Sequence, residues 1–104
     1  MPTKITVIYD NPTDAAAFEE GYSAGQVELA KKLPGVVRFE SSKVWPKEDG
    51  TPTPAYRMFD LYFDDYDTAS AAVATAEAAE LFPSIFGLAT GGVRILFSDI
   101  EEGA

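Results

Sequence analysis

The stretch AYRMFDLYF, residues Ala55 to Phe63, decides the fold because it is the most aromatic candidate strand and is apolar on both of its sides. Successive side chains of a β-strand point to opposite faces of the sheet. The alternation predicts one face with Tyr56, Met58 and Tyr62 and an opposite face with Phe59, Leu61 and Phe63. A sheet that is apolar on both faces needs a cover on each. We therefore predict helices on one face and a second copy of the chain, a homodimer, on the other.

Three further strands and two helices surround this stretch. β-branched residues predict strands at 4–9 (KITVIY), 36–45 (VVRFESSKVW, bulged near Ser41 and Ser42) and 93–99 (VRILFSD). Helices are predicted at 14–32 and at 64–81, the second capped by Asp65 or Asp67, with an apolar loop at 82–92. The order β-α-β-β-α-β is typical of a ferredoxin-like α+β sandwich with a four-stranded antiparallel sheet. We predict one domain, residues 1–104.

The composition argues against several function classes. A formal net charge of −9, from 17 acidic and 8 basic residues, argues against binding to nucleic acid or to an anionic membrane. The chain has no Cys and no His, so thiolate nucleophiles, Ser-His-Asp triads and the usual zinc and haem ligands are excluded, and we predict no metal and no cofactor. The longest apolar runs are too short to cross a bilayer, which makes a cytoplasmic location the default expectation.

The first predicted helix carries a polar residue at the edge of its apolar face. At about 100° per residue, one arc of about 60° holds the apolar set Phe18, Tyr22, Leu29 and Leu33. Gln26 lies about 20° beyond that arc. It is either a boundary residue whose amide bonds backbone or water, or a group that faces a cavity also lined by Tyr22. Gly21 and Gly25 predict a kink or a close backbone approach in the same helix.

One acidic and several aromatic residues are the remaining site candidates. Asp60 interrupts an apolar strand, which fits a general acid or base, or a partner for Gln26. It fits equally a structural pair with Lys or Arg, or exposure at an edge. The aromatic residues form either the wall of a ligand cleft or simply core. The predicted ligand contacts are Tyr9, Tyr22, Gln26, Leu29, Tyr56, Phe59 and Phe86.

Four segments resemble the EthD family of dimeric α+β barrel proteins: ITVIYDNPTDAAAFEEGY, ELAKKLPGVVRFE, DLYFDD and LATGGV. The resemblance implies two sheets face to face in a dimer and a ligand cleft between sheet and helices. The family takes its name from a protein of ethyl tert-butyl ether degradation, and barrel relatives include isomerases, polyketide cyclases and haem-degrading monooxygenases. Its first helix carries the pattern Tyr-x-x-x-His-x-Pro-Leu. Tyr22 and Leu29 match this pattern, whereas Gln26 replaces the His and Glu28 replaces the Pro.

Two functional hypotheses follow from these residues and the resemblance. The first is an EthD-like protein that binds a small hydrophobic compound as an accessory factor in its catabolism, or as an isomerase or cyclase with Asp60 and Tyr22 as catalytic groups. The second is a non-catalytic ligand carrier, because an amide at position 26 cannot shuttle a proton near neutral pH.

Overall fold

A computed structural model describes residues 1–103 as a four-stranded antiparallel sheet with helices on one face. The strands are β1 (Thr3–Tyr9), β2 (Arg38–Lys43), β3 (Arg57–Phe63) and β4 (Val93–Asp99). Their order in the sheet is β2-β3-β1-β4. Each neighbouring pair is antiparallel. This arrangement confirms the predicted ferredoxin-like α+β fold.

The registers define two faces of the sheet. Ile5 lies opposite Leu61 and Phe97, and Val7 lies opposite Phe59 and Ile95. The side chains of Ile5, Val7, Phe59 and Leu61 are buried beneath the helices. The intervening positions form the other face, which we call the open face. It consists of Arg38, Glu40, Ser42, Lys4, Thr6, Ile8, Met58, Asp60, Tyr62, Arg94, Leu96 and Ser98.

The first helical segment is continuous but irregular. It comprises α1 (Ala15–Gly21), a π-helical turn (Tyr22–Gln26) and α2 (Val27–Lys31). The backbone leaves the helical conformation at Gly25, with φ 174° and ψ −12°, which confirms the predicted kink. Gly21 is a site of close approach, because an added Cβ would lie 2.5 Å from Leu88 Cδ2.

The second helical region differs from its prediction. Two helices, α3 (Tyr66–Ala72) and α4 (Ala76–Leu88), replace one helix and a long loop. Their N-caps are Asp65 and Thr75. The uniform run of alanines gave no sign of the break between them. The segment after position 81 continues α4, and Ile85 extends the buried face of Ala78 and Leu81 with the i, i+3, i+7 spacing of one helix face, whereas Phe86 is exposed.

Neither of these helices is long enough by itself to cross a bilayer, and the same holds for every helix within residues 1–103. The pair α3 and α4 together has the length and composition of a span, but the two helices are bent by 77°.

The hairpin between β2 and β3 is also shorter than predicted. β2 covers six residues and pairs without a bulge, since Ser41 and Ser42 lie directly opposite Phe59 and Met58. Tyr56 precedes the regular strand, and its ring packs edge-on against Phe18 on the helix side at 5.3 Å. The prediction that Tyr56 shares a face with Asp60 is therefore wrong, because strict alternation begins only at Arg57.

The turn before β4 depends on two glycines with different roles. Gly92 has φ +108°, which L-residues rarely adopt. An added Cβ on Gly91 would lie 1.9 Å from the backbone oxygen of Asn11. The chain after β1 therefore packs directly on the turn that leads into β4.

We expect Gly91→Ala to lower the free energy of unfolding by about 2 kcal/mol or more, because two backbone segments must separate to admit the methyl group. The matched control is Gly87→Ala on α4, where nothing lies within 4 Å of the added Cβ. That change should be neutral or stabilising by up to about 1 kcal/mol. Urea denaturation measures both, and equal effects of the two substitutions would contradict the close packing.

Candidate functional site

Gln26 lies at the centre of a hydrogen-bonded bridge between three elements. The Tyr9 hydroxyl at the end of β1 donates to Gln26 Oε1. Gln26 Nε2 in turn donates to Ser84 Oγ on α4, at 3.0 Å. Only 1% of Gln26 is exposed. Both ends of the amide are therefore satisfied inside the protein, which is the condition for burying such a group at low cost.

The Tyr9 phenol is fixed as a hydrogen-bond donor. Burial raises the pKa of Tyr9, and the nearby Tyr22 raises it further, against the opposing effect of the bond to Gln26. The phenol consequently stays protonated near neutral pH and does not act there as a base.

Most of the predicted aromatic ligand contacts form a filled cluster under α1 and the π-helical turn. Phe18 lies at the centre, 4.8 Å from the Tyr9 ring, 5.7 Å from the Tyr22 ring and 5.3 Å from the Tyr56 ring. Phe59 packs behind Tyr9 at 6.4 Å. Such edge-on and stacked contacts are typical of core aromatics.

A group of charged and phenolic side chains lies beside this cluster; we call it the Glu19 cluster. Its members are Glu19, Lys43, Tyr56 and Arg57. The Glu19 carboxylate accepts a hydrogen bond from the Tyr56 hydroxyl at 2.7 Å. It also accepts two bonds from Arg57 Nη2, at 3.1 and 3.2 Å. Lys43 Nζ lies 3.8 Å from the same carboxylate.

The cluster carries more positive than negative charge. Burial raises the pKa of Glu19, but hydrogen bonds from Tyr56 and Arg57 and the charges of Arg57 and Lys43 lower it overall, so the carboxylate is ionised at neutral pH. One carboxylate thus faces two cations. The buried Nε of Arg57 has no hydrogen-bond partner within residues 1–103. The guanidinium itself lies 4.8 Å from the centre of the Tyr22 ring, in cation–π contact.

The Glu19 cluster could not be predicted from the amino-acid pattern, because its members are separated by up to 38 residues. Only the hairpin register, in which Lys43 lies opposite Arg57, could have suggested that these two cations are neighbours. No spacing rule connects either of them to Glu19 on α1.

A groove with a volume of about 560 Å³ lies next to the Glu19 cluster, at the end of the sheet. Its lining residues are Asn11, Lys43, Val44, Trp45, Pro46, Thr51, Pro52, Thr53 and Tyr56. Most of them belong to the irregular chain between β2 and β3. Trp45 is 87% exposed. Of the predicted ligand contacts, Tyr56 alone lines this groove.

A second, smaller cavity of about 100 Å³ lies near the N-terminus of α1 and includes Phe18 in its lining. Gln26 and Tyr22 line neither cavity. Leu29 is half-buried against the core, and Phe86 on α4 is 60% exposed, away from the groove.

The two predicted catalytic residues lie on opposite faces of the sheet. Asp60 is buried on the open face, where it accepts a hydrogen bond from the Thr6 hydroxyl and lies 4.0 Å from Lys4 Nζ. Tyr22 lies on the helix side, and its hydroxyl shares a 2.7 Å hydrogen bond with Ser41 Oγ. The sheet also separates Asp60 from Gln26. Several roles were open for Asp60 from the sequence, and the geometry matches one of them, a structural pair with a lysine.

Among the residues that the structure describes, no three acidic side chains converge on a point that could hold a metal ion.

Three known proteins or their structures resemble this chain. An uncharacterized 11.0 kDa protein from the thcB–thcC intergenic region of Rhodococcus erythropolis is 38% identical over 98 residues, which is 94% of each chain. The crystal structure of an EthD family protein from Bacillus halodurans has a TM-score of 0.88 and 23% identity, and the match covers 96% of this chain and 99% of that one.

The third is the structure of a dimeric ferredoxin-like protein of unknown function from Jannaschia sp. CCS1. It has a TM-score of 0.72 and 15% identity, and the match covers 96% of this chain and all of that one. No protein-family model matches the sequence. The Bacillus halodurans structure shows that this chain shares the fold of an EthD family protein, the family that the four sequence segments resemble.

We expect the bridge through Gln26 to contribute measurably to stability. Gln26→Met keeps the side-chain length but leaves the Tyr9 and Ser84 hydroxyls without their partner, so the free energy of unfolding should fall by about 1–3 kcal/mol. Tyr9→Phe alone should cost about 1 kcal/mol. The double variant should cost less than the sum of the two, because removing both partners leaves fewer buried groups unsatisfied.

Urea unfolding of the wild type, both single variants and the double variant gives the coupling energy. Tyr66→Phe is the control, since Tyr66 is exposed and its loss should change stability by less than about 0.5 kcal/mol. Strictly additive costs at positions 9 and 26 would show that the bridge does not couple the strand to the helix.

Proposed function

This chain belongs to the same family as the 11.0 kDa Rhodococcus erythropolis protein, and on that premise we propose that it is an EthD-like protein that binds a small, largely apolar molecule. The observation that carries the proposal is the groove beside the Glu19 cluster. Its volume of about 560 Å³ lies within the range of about 300–1,000 Å³ that is usual for small-molecule sites. Trp45, Tyr56, Val44 and two prolines give it a mainly apolar lining.

The geometry favours a ligand carrier or accessory factor over an isomerase or cyclase. A reaction that uses Asp60 and Tyr22 together would require both groups at one substrate, yet the sheet lies between them. Gln26 occupies the position of the family histidine, and its amide is already bonded to Tyr9 and Ser84. An accessory role in the catabolism of a small hydrophobic compound is the function that requires none of these three residues to act on a substrate.

We also propose that the chain forms a homodimer through the open face of the sheet. Leu96 on β4 is 51% exposed there, and the same face carries the apolar residues Ile8 and Met58, which lie opposite each other on β1 and β3. The dimeric description of the Jannaschia protein with this fold supports the same arrangement.

We expect native mass spectrometry to detect a dimer in the wild type and a monomer in Leu96→Asp, because the new carboxylate would have to be buried between two sheets. Phe86→Asp is the matched control. It also replaces an exposed apolar residue by aspartate, but on α4, and should remain dimeric. A monomeric wild type, or loss of the dimer in the control alone, would contradict an interface at the open face.

We expect the groove to bind an apolar aromatic probe, and Trp45 reports on it because it is the only tryptophan of the chain. Its indole N–H gives one resonance in a ¹⁵N–¹H correlation spectrum, which should shift on titration with 4-tert-butylbenzamide. At about 0.3 kcal/mol per non-hydrogen atom, this neutral probe should bind with a Kd of about 1 mM.

Val44→Asp should weaken binding of this probe at least about fivefold by placing a charge in the apolar wall. Val37→Asp is the control, since Val37 is exposed and does not line the groove. An indole resonance that does not move in the wild type would overturn the proposed binding function.

A further inference from the structure

The charge of the groove lining contrasts with that of the whole chain. The chain carries 17 acidic residues and a net charge of −9. Within residues 1–103, however, no acidic residue lines the groove, and Lys43 is its one charged residue. The acidic residues that dominate the composition are thus absent from the lining of the groove.

The Lys43 ammonium is not neutralised by its neighbours. Glu19 lies 3.8 Å from Lys43 Nζ but is closer to Arg57, at 3.1 and 3.2 Å, and it also accepts a bond from Tyr56. One carboxylate shared by two cations leaves a surplus of one positive charge. Lys43 Nζ also lies 5.1 Å from the centre of the Tyr56 ring, at the boundary between the cluster and the groove.

The other polar side chains of the lining already have intramolecular partners. Asn11 Nδ2 donates to the backbone oxygen of Thr53 at 2.8 Å. The Thr53 hydroxyl donates to the backbone oxygen of Ala55, and the Thr51 hydroxyl donates to Asp49 Oδ1. The Tyr56 hydroxyl donates to Glu19. Within residues 1–103, the lining side chains that donate no hydrogen bond to the protein are Lys43 and Trp45, so the Lys43 ammonium and the Trp45 indole N–H remain as donors for a ligand, while Asn11 Oδ1 and the hydroxyl oxygens remain as acceptors.

We propose that the ligand of this groove is an apolar monocarboxylate whose carboxylate group pairs with Lys43 and whose hydrocarbon body packs on Trp45, Val44 and Tyr56. This inference rests on the proposed binding function and adds the chemical class of the ligand. A single cation in an otherwise uncharged lining suits one negative charge, because a second charge would find no cation to pair with. Lysine acts as a point charge, so it selects for charge more than for head-group shape.

The test compares two probes of nearly equal shape, 4-tert-butylbenzoate and 4-tert-butylbenzamide, at the same pH and ionic strength with the Trp45 indole resonance as readout. We expect the benzoate to bind the wild type about fivefold more tightly, the size of effect of a partly exposed ion pair. In Lys43→Met the preference should disappear, so that the benzoate binds no more tightly than the benzamide. Lys47→Met removes one positive charge from the loop that follows β2, outside the groove lining, and it should keep the preference.

The outcomes separate this inference from the function on which it rests. If both probes bind the wild type equally, or if the preference survives Lys43→Met, the carboxylate assignment is wrong and the binding groove stands. Loss of the preference in Lys47→Met as well would attribute it to net charge and would also overturn the assignment. If neither probe shifts the resonance, the groove itself is not a ligand site and both proposals fail.

Discussion

A buried amide has to be hydrogen-bonded at both ends, and this constraint makes Gln26 tie both helical regions to the sheet. The donor that it needs is the Tyr9 hydroxyl at the end of β1, and the acceptor is Ser84 on α4. Gln26 reaches both from within a π-helical turn. Each of the two helical regions joined by this bridge has an irregular backbone. The first is kinked at Gly25, next to Gln26, and the second is broken before α4, the helix that carries Ser84.

Around the bridge, aromatic side chains occupy the space between helices and sheet. Tyr9, Phe18, Tyr22 and Phe59 pack against one another there, and Gln26 is satisfied by protein groups. A glutamine at this position donates and accepts hydrogen bonds at the same time, but its amide cannot exchange a proton near neutral pH. The interior thus supplies stability, and the groove lies at the end of the sheet, where the chain between β2 and β3 is irregular.

The fold could be predicted from sequence because it depends on local patterns. Alternating residues in β1 and β3, a Pro-Gly stop after the first helix and the order of elements were sufficient. The break between α3 and α4 could not be found, since alanine favours helix on either side of it and the apolar residues of α4 resemble a buried loop. Strict alternation, when it is continued one residue before the start of β3, places Tyr56 on the wrong face of the sheet.

The site was less predictable for a physical reason. Tyr22 could be singled out because it belongs to the apolar face of the first helix, and Gln26 because it is a polar residue at the edge of that face. Both are buried. Glu19, Lys43 and Arg57 looked like ordinary exposed charges of an acidic protein. Only tertiary structure brings one carboxylate and two cations together, and no helix or strand periodicity in the sequence predicts this contact.

The segment that forms most of the groove wall is attached to the domain by a few backbone contacts. Val44 N donates to the backbone oxygen of Tyr56, Asn11 holds Thr53, and Arg94 donates to the backbone oxygen of Pro54 at 3.1 Å. These bonds fix the position of the segment without specifying its side chains. Residues between 45 and 53 can therefore change the shape of the groove while β2, β3 and the Gln26 bridge stay as they are. Lys43 differs from them because it lies on the strand, so the charge at the groove is set by the sheet and the apolar wall by the loop.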